Sequence, residues 1–225
     1  MIPAWLARRG LVVSCQARPD NPLHGSSHMS AMAQAAEQGG AIAIRANGAA
    51  DIAAIRAATS LPVIGIAKRR TAGFDVEITP SLADARQIAA AGAAMIALDA
   101  TDRARDGETL ARLVARIAQE LALPVMADVA TSAEGEAAAR LGCAVVATTL
   151  SGYTPDSPRL DGPDFDLLAR LVARVSIPVI AEGRFSTPDE IARAFAIGAR
   201  AVVVGTAITN PREITRRFVA AVPAS

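Results

Sequence analysis

The chain has 225 residues, enough for one sizeable core, and because 52% of them are hydrophobic but only 3% aromatic, small aliphatic side chains must fill that core. Its 23 basic and 22 acidic residues give a formal net charge of +1, which argues against a nucleic-acid partner. No apolar run approaches the roughly 20 residues of a membrane span, and two cysteines without paired spacing, Cys15 and Cys143, predict free buried thiols in a cytoplasmic protein.

Short runs rich in β-branched residues alternate along the whole chain with longer Ala-, Leu- and Arg-rich segments of helical period. This alternation is typical of βαβ units that build a parallel sheet. Each predicted strand is followed by a helix, the last of them over 211–222. The eight predicted strands are 10–16, 41–47, 62–68, 95–101, 124–130, 144–150, 178–184 and 201–207.

The strands fall into two sets that alternate along the chain. The third, fifth and seventh open with an apolar residue followed by Pro-Val. The second, fourth, sixth and eighth follow a glycine that closes the preceding helix, where a left-handed backbone is favoured without a Cβ atom. Helix starts agree with this division: Ser81, Ser132 and Thr187 are predicted N-caps, and Thr187 with Pro188 and Glu190 has the pattern of a capping box. The closing glycines are Gly40, Gly92, Gly142 and Gly198.

Eight units of about 28 residues each match a closed TIM barrel. An open doubly wound sheet is the alternative, but no GxGxxG pattern follows the first strand. We therefore predict an α/β fold in which residues 1–225 form a single (β/α)8-barrel domain. A short helix over 2–9 is expected to cover the lower mouth of the barrel.

Polar side chains end six of the eight strands, and in a barrel the active site lies at the C-terminal ends of the strands. Each one alone could be a barrel-end group that reaches water or pairs with a neighbour. Together they are costly to bury unless function retains them, and their mutual fields shift pKa values as active sites require. These residues are Gln16, Arg45, Asn47, Lys68, Asp99, Asp128 and Glu182.

A second signal follows strands 7 and 8. The segments "AEGR" and "VVGTA" place Gly183 with Arg184, and Gly205 with Thr206, in the loops after these strands. Those loops often bind phosphate through backbone N–H groups. A tight turn would also use a glycine, but the pair in register favours an anion site.

These segments, in this order, resemble the N-acetylmannosamine-6-phosphate 2-epimerases, barrel enzymes of bacterial sialic acid catabolism. The resemblance covers nearly the whole chain. Its most specific segments are "VVSCQA" with "PLH", "AAEQGGAIAIRANG", "PVIGIAKR", "ITPS", "IALDAT", "DGETL", "MADVAT", "TTLSGYTP", "PVIAEGRFSTP" and "AVVVGTAIT" leading to "EITRRFV".

The resemblance implies a cofactor-independent inversion at C2 that interconverts N-acetyl-D-mannosamine 6-phosphate and N-acetyl-D-glucosamine 6-phosphate. It implies that Lys68 is the catalytic base, that Glu182 is its acidic partner, and that Gln16, Arg45 and Asp128 hold the sugar. Removing the C2 proton next to the open-chain aldehyde leaves an enolate that a nearby cation or acid stabilises. To act as a base, Lys68 needs a pKa well below the usual value of about 10.4. One-base and two-base routes both remain open.

Position 210 departs from the family pattern. Where the family usually has an arginine in "ITRP" that contributes to the phosphate site, this chain has Asn210 in "ITNP". A bidentate charged contact is then missing, although the backbone donors near Gly183 and Gly205 remain and Arg184 or Arg212 could substitute. An epimerase of an unphosphorylated or different N-acyl amino sugar is therefore an alternative.

Two further functions would use the same residues. In a Schiff-base aldolase the Lys68 amine would attack a carbonyl and become covalently attached, and a non-catalytic barrel would bind an amino sugar phosphate and signal to a partner. The motif set argues against the first, and the presence of both Lys68 and Glu182 argues against the second. We expect no catalytic metal, because metal-ligand spacings are absent from the sequence. His24 and His28 are expected to be solvated residues of the loop after strand 1.

The resemblance also implies a homodimer that pairs through the C-terminal helix. In that predicted helix Ile214, Phe218 and Val222 recur at helical spacing and form one apolar stripe. The alternative is that the stripe closes the barrel on itself.

Overall fold

A computed structural model describes residues 2–223 as a closed parallel barrel in which each strand pairs with its neighbours in chain order and the last strand pairs with the first. All eight predicted strands are present, so the predicted (β/α)8 barrel is confirmed. Most are shorter than the sequence pattern indicates, because the chain turns into the loops of the upper mouth. The strands are β1 Gly10–Cys15, β2 Ala43–Asn47, β3 Val63–Ile66, β4 Met95–Asp99, β5 Val125–Asp128, β6 Val145–Ala147, β7 Val179–Glu182 and β8 Ala201–Val204.

Helices surround the barrel, and the last βα unit differs from the prediction. The single helix predicted over 211–222 is preceded by a separate short helix and ends at Val219. Pro211 separates the two because it has no N–H to continue the first and suits the first turn of the second. The helices are α1 Ser26–Gln38, α2 Ala49–Ala58, α3 Leu82–Ala90, α4 Leu110–Arg116, α5 Ser132–Arg140, α6 Phe165–Arg174, α7 Pro188–Ile197, α8 Thr206–Thr209 and α9 Pro211–Val219, with a π-helical turn, Ile117–Leu121, after α4.

Small and branched aliphatic side chains from all eight strands fill the barrel interior, among them Val12, Ile64 and Val203. The predicted N-terminal helix is a 3-10 helix, Ala4–Ala7, whose Leu6 is fully buried in the same interior cluster. It covers the lower mouth as predicted. The lower mouth of the barrel is therefore closed.

Helix caps follow the predicted pattern with one exception. Ser81 accepts the Asp84 N–H at the start of α3, and Thr187 forms the predicted capping box with α7. The prediction for Ser132 was wrong by one residue, because Thr131 caps α5. Thr131 has the extended backbone that an N-cap needs, whereas Ser132 is already helical.

The predicted apolar stripe of the last helix is only partly formed, because α9 ends at Val219, before Val222, and Ile214 is half-buried. No residue of α9 is buried, and Phe218 and Val222 are 75% and 68% exposed.

Cys15 and Cys143 are buried free thiols, as predicted, and burial raises the pKa of each to about 12. None of the helices described between residues 2 and 223 has the length and apolarity of a membrane span.

Candidate active site

Three ionisable side chains from β2, β5 and β7 meet across the upper end of the barrel. Arg45 Nη1 donates to Asp128 Oδ1 at 3.0 Å and to Glu182 Oε2 at 2.7 Å, while Arg45 Nη2 donates to Asp128 Oδ2 at 2.5 Å. The contact between Arg45 and Asp128 is thus bidentate, which adds both strength and directional precision. The side chains of Arg45 and Asp128 are 1% and 0% exposed, against 14% for Glu182. Glu182 is therefore the one of these three side chains that solvent partly reaches.

Two threonines after β6 complete the network, and sequence reasoning missed both. Thr149 Oγ1 donates to Asp128 Oδ1 at 2.6 Å. Thr148 Oγ1 donates to the Glu182 carbonyl at 2.8 Å and accepts the Glu182 N–H at 2.9 Å. Their position was the available signal: Thr149 stands two residues beyond Ala147, an interior residue, and strand side chains alternate between faces.

Lys68 stands at the rim of the mouth, two residues beyond the interior residue Ile66. Its backbone N–H donates to Asn47 Oδ1 at 2.8 Å, and the residue pairs with Ile78 in an isolated antiparallel bridge. Both contacts fix the main chain that carries the amine. Of the 23 lysine and arginine residues in the chain, Lys68 is the only lysine. All the other residues of this set are arginines, whose guanidinium groups stay charged, so the one titratable side-chain amine of the chain lies at this rim.

The pKa values of Lys68 and Glu182 move toward neutrality from opposite directions. The Lys68 residue is exposed, yet desolvation of its amine by the surrounding protein lowers the pKa, and the positive charge of Arg45 lowers it further. The negative charges of Glu182 and Asp128 raise the pKa but do not cancel this effect. Burial raises the pKa of Glu182 to about 7, although Arg45 opposes the shift. Burial also disfavours charge on Arg45, but its two carboxylate partners outweigh this and keep its pKa above the usual value. Near neutral pH, Glu182 therefore titrates while Arg45 stays charged.

The other predicted rim residues lie outside this network. Gln16 Nε2 donates to Ser14 Oγ at 2.8 Å. Asp99 is held locally, because its carboxylate accepts from Thr101 Oγ1 at 2.7 Å and from Arg103 Nη2 at 2.5 Å.

The two predicted loop histidines are both exposed, although His28 lies in the first turn of α1 rather than in the loop that holds His24. Within residues 2–223, no group of three or more His, Cys, Asp or Glu side chains is arranged to hold a metal ion.

Gly183 and Gly205 follow adjacent strands, since β7 and β8 are paired in register up to their ends. The backbone of Gly183 has a φ of 118°, a conformation that glycine adopts without strain. The N–H groups of Gly183, Arg184 and Thr206 have no hydrogen-bond acceptor within the part of the chain that the structure describes. These donors are available to an anion, in keeping with the predicted site.

The Arg184 side chain turns away from these donors. Its Nε donates to the Gly162 carbonyl at 2.7 Å, its Nη1 to the Ser151 carbonyl at 2.6 Å, and its guanidinium lies 5.6 Å from the centroid of the Tyr153 ring. The guanidinium therefore braces the loop between β6 and α6. What Arg184 offers a substrate in this geometry is its backbone N–H.

Asn210 has a structural role of its own at the start of α9. Its Oδ1 accepts the Glu213 N–H at 3.4 Å, as the N-cap of the helix, and also accepts from Asn21 Nδ2 at 3.3 Å. Arg212 is paired with Asp20 at 3.2 Å. Neither residue supplies the unpaired positive charge that an arginine at position 210 would bring.

The fold and the site together define the class of this protein. A (β/α)8 barrel carries its chemistry at the C-terminal ends of its strands, and that end holds here a lysine of lowered pKa and a carboxyl group of raised pKa. Such perturbed pairs are concentrated at catalytic sites. The chain is a (β/α)8-barrel enzyme.

Comparison with known proteins identifies the particular family. Residues 29–224 match the family described as "Putative N-acetylmannosamine-6-phosphate epimerase", and the chain belongs to that family. It is 50% identical over 212 residues to a protein of Caldanaerobacter subterraneus subsp. tengcongensis named "Putative N-acetylmannosamine-6-phosphate 2-epimerase", covering 93% of this chain and 90% of the relative. A relative of the same name from Thermosynechococcus vestitus is 45% identical over 218 residues and covers 97% and 95%.

Solved structures agree with this assignment. The N-acetylmannosamine-6-phosphate 2-epimerase from Clostridium perfringens superimposes with a TM-score of 0.92 at 48% identity, covering 95% of this chain and 93% of that one. A thiamine phosphate pyrophosphorylase from Pyrococcus furiosus, 18% identical with a TM-score of 0.61 over 94% of this chain and 91% of that one, shares the fold alone. The chain is therefore an isomerase of the epimerase type.

Proposed function

We propose that the protein interconverts N-acetyl-D-mannosamine 6-phosphate and N-acetyl-D-glucosamine 6-phosphate by inverting C2, without a cofactor. The observation that carries the proposal is the placement of Lys68 and Glu182 at the same rim, with the pKa of the amine lowered and that of the carboxyl raised to about 7. Relatives that are 50% and 48% identical are named for this reaction. The site supplies the acid and the base that the reaction requires.

Two groups on opposite sides of the mouth suit an inversion. β3 and β7 stand four strands apart in a barrel of eight, so Lys68 and Glu182 approach a bound sugar from opposite sides. In the ring-opened substrate, the neutral Lys68 amine takes the C2 proton and the electron pair of the broken C–H bond passes to the aldehyde oxygen as an enolate. The Glu182 carboxylic acid then protonates the other face of C2. Lys68 and Glu182 together hold one transferable proton throughout: it lies on Glu182 before turnover and on Lys68 afterwards. The reverse reaction therefore begins from the Lys68 ammonium and the Glu182 carboxylate.

Arg45 and Asp128 position this pair. Arg45 bonds the Glu182 carboxyl and adds a permanent positive charge near the developing enolate. The bidentate contact with Asp128, itself bonded by Thr149, holds the guanidinium in place. We assign Gln16, at the end of β1, to contact with the sugar and the backbone donors at Gly183 and Gly205 to contact with the phosphate.

Solvent exchange at C2 tests this proposal. Protein dialysed against a chelator and supplied with no nucleotide should convert N-acetylmannosamine 6-phosphate in deuterium oxide, and deuterium should appear at C2 of the product, because the incoming proton comes from Glu182. Mass spectrometry and proton NMR of the product measure the label. Epimerisation with no label would contradict proton transfer at C2, and loss of turnover after dialysis would contradict cofactor independence.

The neutral side chain at position 210 favours one alternative, an epimerase that acts on an unphosphorylated or different N-acyl amino sugar. The backbone donors after β7 and β8 still provide an anion site without any side-chain charge. For this reason we keep the phosphorylated sugar as the proposed substrate. We place the reaction in the cytoplasm, in the catabolism of sialic acids and amino sugars, with a small molecule as ligand and neither nucleic acid nor membrane as partner.

We further propose a homodimer that pairs through α9. Exposed apolar side chains support it, since Phe218 near the end of α9 and Val222 just beyond the helix are both in contact with water. Contiguous exposed apolar surface of this kind marks interaction sites on soluble proteins.

A single substitution in this stripe should separate the subunits. Phe218→Ser removes the largest exposed apolar side chain of α9, so light scattering at micromolar concentration should change from the mass of a dimer to that of a monomer. Leu141→Ser, a change at an exposed apolar residue after α5, is the matched control and should remain dimeric. A monomeric wild-type protein would contradict the proposal.

A further inference from the structure

The phosphate group of a phosphorylated substrate carries about two negative charges near neutral pH. The side chains after β7 and β8 provide no unpaired positive charge to bind it. Arg184 braces a loop, Arg212 is paired with Asp20, and Asn210 is neutral and caps α9. Backbone N–H groups alone would have to hold the phosphate on this side. The structure offers one other source of charge nearby.

That source is the loop between β1 and α1, which packs directly on the segment after β8. Asn21 of this loop donates to Asn210 at 3.3 Å, and Asp20 accepts from Arg212 at 3.2 Å. Arg18 belongs to the same loop, two residues before Asp20. The loop therefore carries Arg18 to the part of the mouth where the phosphate donors lie.

Arg18 is not engaged by the protein itself. Its side chain is exposed, and within residues 2–223 it makes no hydrogen bond or ion pair. Its positive charge nevertheless reaches Lys68, where it adds to the lowering of the pKa of the amine. A guanidinium in this loop that has no carboxylate partner among the described residues is free to bind a bidentate anion from the substrate.

We propose that Arg18 binds the phosphate group of the substrate, in place of the charged contact that position 210 lacks, and thereby sets the preference for phosphorylated amino sugars. This inference rests on the proposed function, since it assigns a specificity residue to that reaction. Direct binding of the phosphate differs from an effect of the Arg18 charge on the pKa of Lys68, because that effect would change the rate with every substrate alike.

The test compares Arg18→Gln with wild type on N-acetylmannosamine 6-phosphate and on N-acetylmannosamine. Loss of one charge-assisted contact should lower kcat/KM for the phosphorylated sugar by about tenfold and weaken its calorimetric Kd by a similar factor. The value for the free sugar should stay within about twofold. Arg8→Gln removes the same charge from an exposed residue beside the lower mouth and should match wild type on both sugars.

Each other outcome has a definite meaning. An equal fall for both sugars would overturn the inference in favour of an action through Lys68, and no fall for either would overturn it outright. Absence of epimerisation by the wild-type protein would instead reject the proposed function. In that case the calorimetric Kd of the phosphorylated sugar still decides whether Arg18 binds phosphate, because the binding measurement needs no turnover.

Discussion

Replacement of Lys68 by methionine should lower kcat by about 10²- to 10⁴-fold, the range that a positioned general base contributes. Methionine keeps the length of the side chain but cannot take a proton. The fold should be unaffected, because the backbone contacts of residue 68 with Asn47 and Ile78 do not involve the amine. Conversion of the phosphosugar followed by NMR, with circular dichroism to verify folding, measures both expectations.

Lys68→Arg is the control for charge. Arginine restores the positive charge but holds its proton at any pH used in solution, so it should be as inactive as methionine if the residue is a base. Activity near the wild-type level in the arginine variant would show that residue 68 acts through charge alone. Wild-type rates in the methionine variant would refute its assignment altogether.

Arg45→Met should destabilise the protein by about 3 to 5 kcal/mol, the cost of leaving the carboxylate partners of a buried ion pair uncompensated. Without the guanidinium, the pKa of Glu182 in the folded state, which burial already raises to about 7, rises further above its value of about 4 in the unfolded chain. A carboxyl of raised pKa stabilises the fold below its unfolded pKa, and this stability is lost as the pH rises toward the folded pKa. The deficit of the variant should therefore be larger at pH 8 than at pH 5.

Urea unfolding at the two pH values measures this deficit. Arg174→Met is the matched control, because Arg174 pairs with Glu136 at 3.0 Å on the surface, where its side chain is 58% exposed, and such pairs contribute little. Its free energy of unfolding should stay close to that of wild type at both pH values. A pH-independent deficit in Arg45→Met would show that lost packing, not charge, holds Arg45 in the barrel.

The fold could be predicted from the sequence because each βα unit repeats a local signal. Pro-Val at strand starts, glycine at helix ends and β-branched runs between them are read over a few residues, and they gave the correct number of strands. The errors were equally local. Thr131 and Ser132 are both good capping residues, and only the backbone shows which of them is extended. The short helix before Pro211 was missed because its first residues, Thr206 and Ala207, continue the run that predicts the eighth strand over 201–207.

The ionisable members of the candidate site were predictable from the sequence, but Thr148, Thr149 and the contacts were not. Strand ends identified Arg45, Lys68, Asp128 and Glu182, whose placement at one rim follows from barrel topology. The contact between Arg45 and Glu182 joins residues 137 positions apart, and no local pattern specifies which partner an arginine takes. The direction of Arg184 was also hidden, because its left-handed φ of 60° turns the side chain toward the loop after β6.

The solitary lysine gives this protein a built-in reporter. Reagents directed at side-chain amines usually label many surface sites, so that the signal of an active-site lysine is lost among them. Here any stable adduct on a side-chain amine identifies residue 68 without peptide mapping, whether it is a reductively trapped carbonyl or a methyl group observed by NMR. A single resonance from such a methyl label would follow the titration of the active site directly, with only the α-amino group of the chain as background.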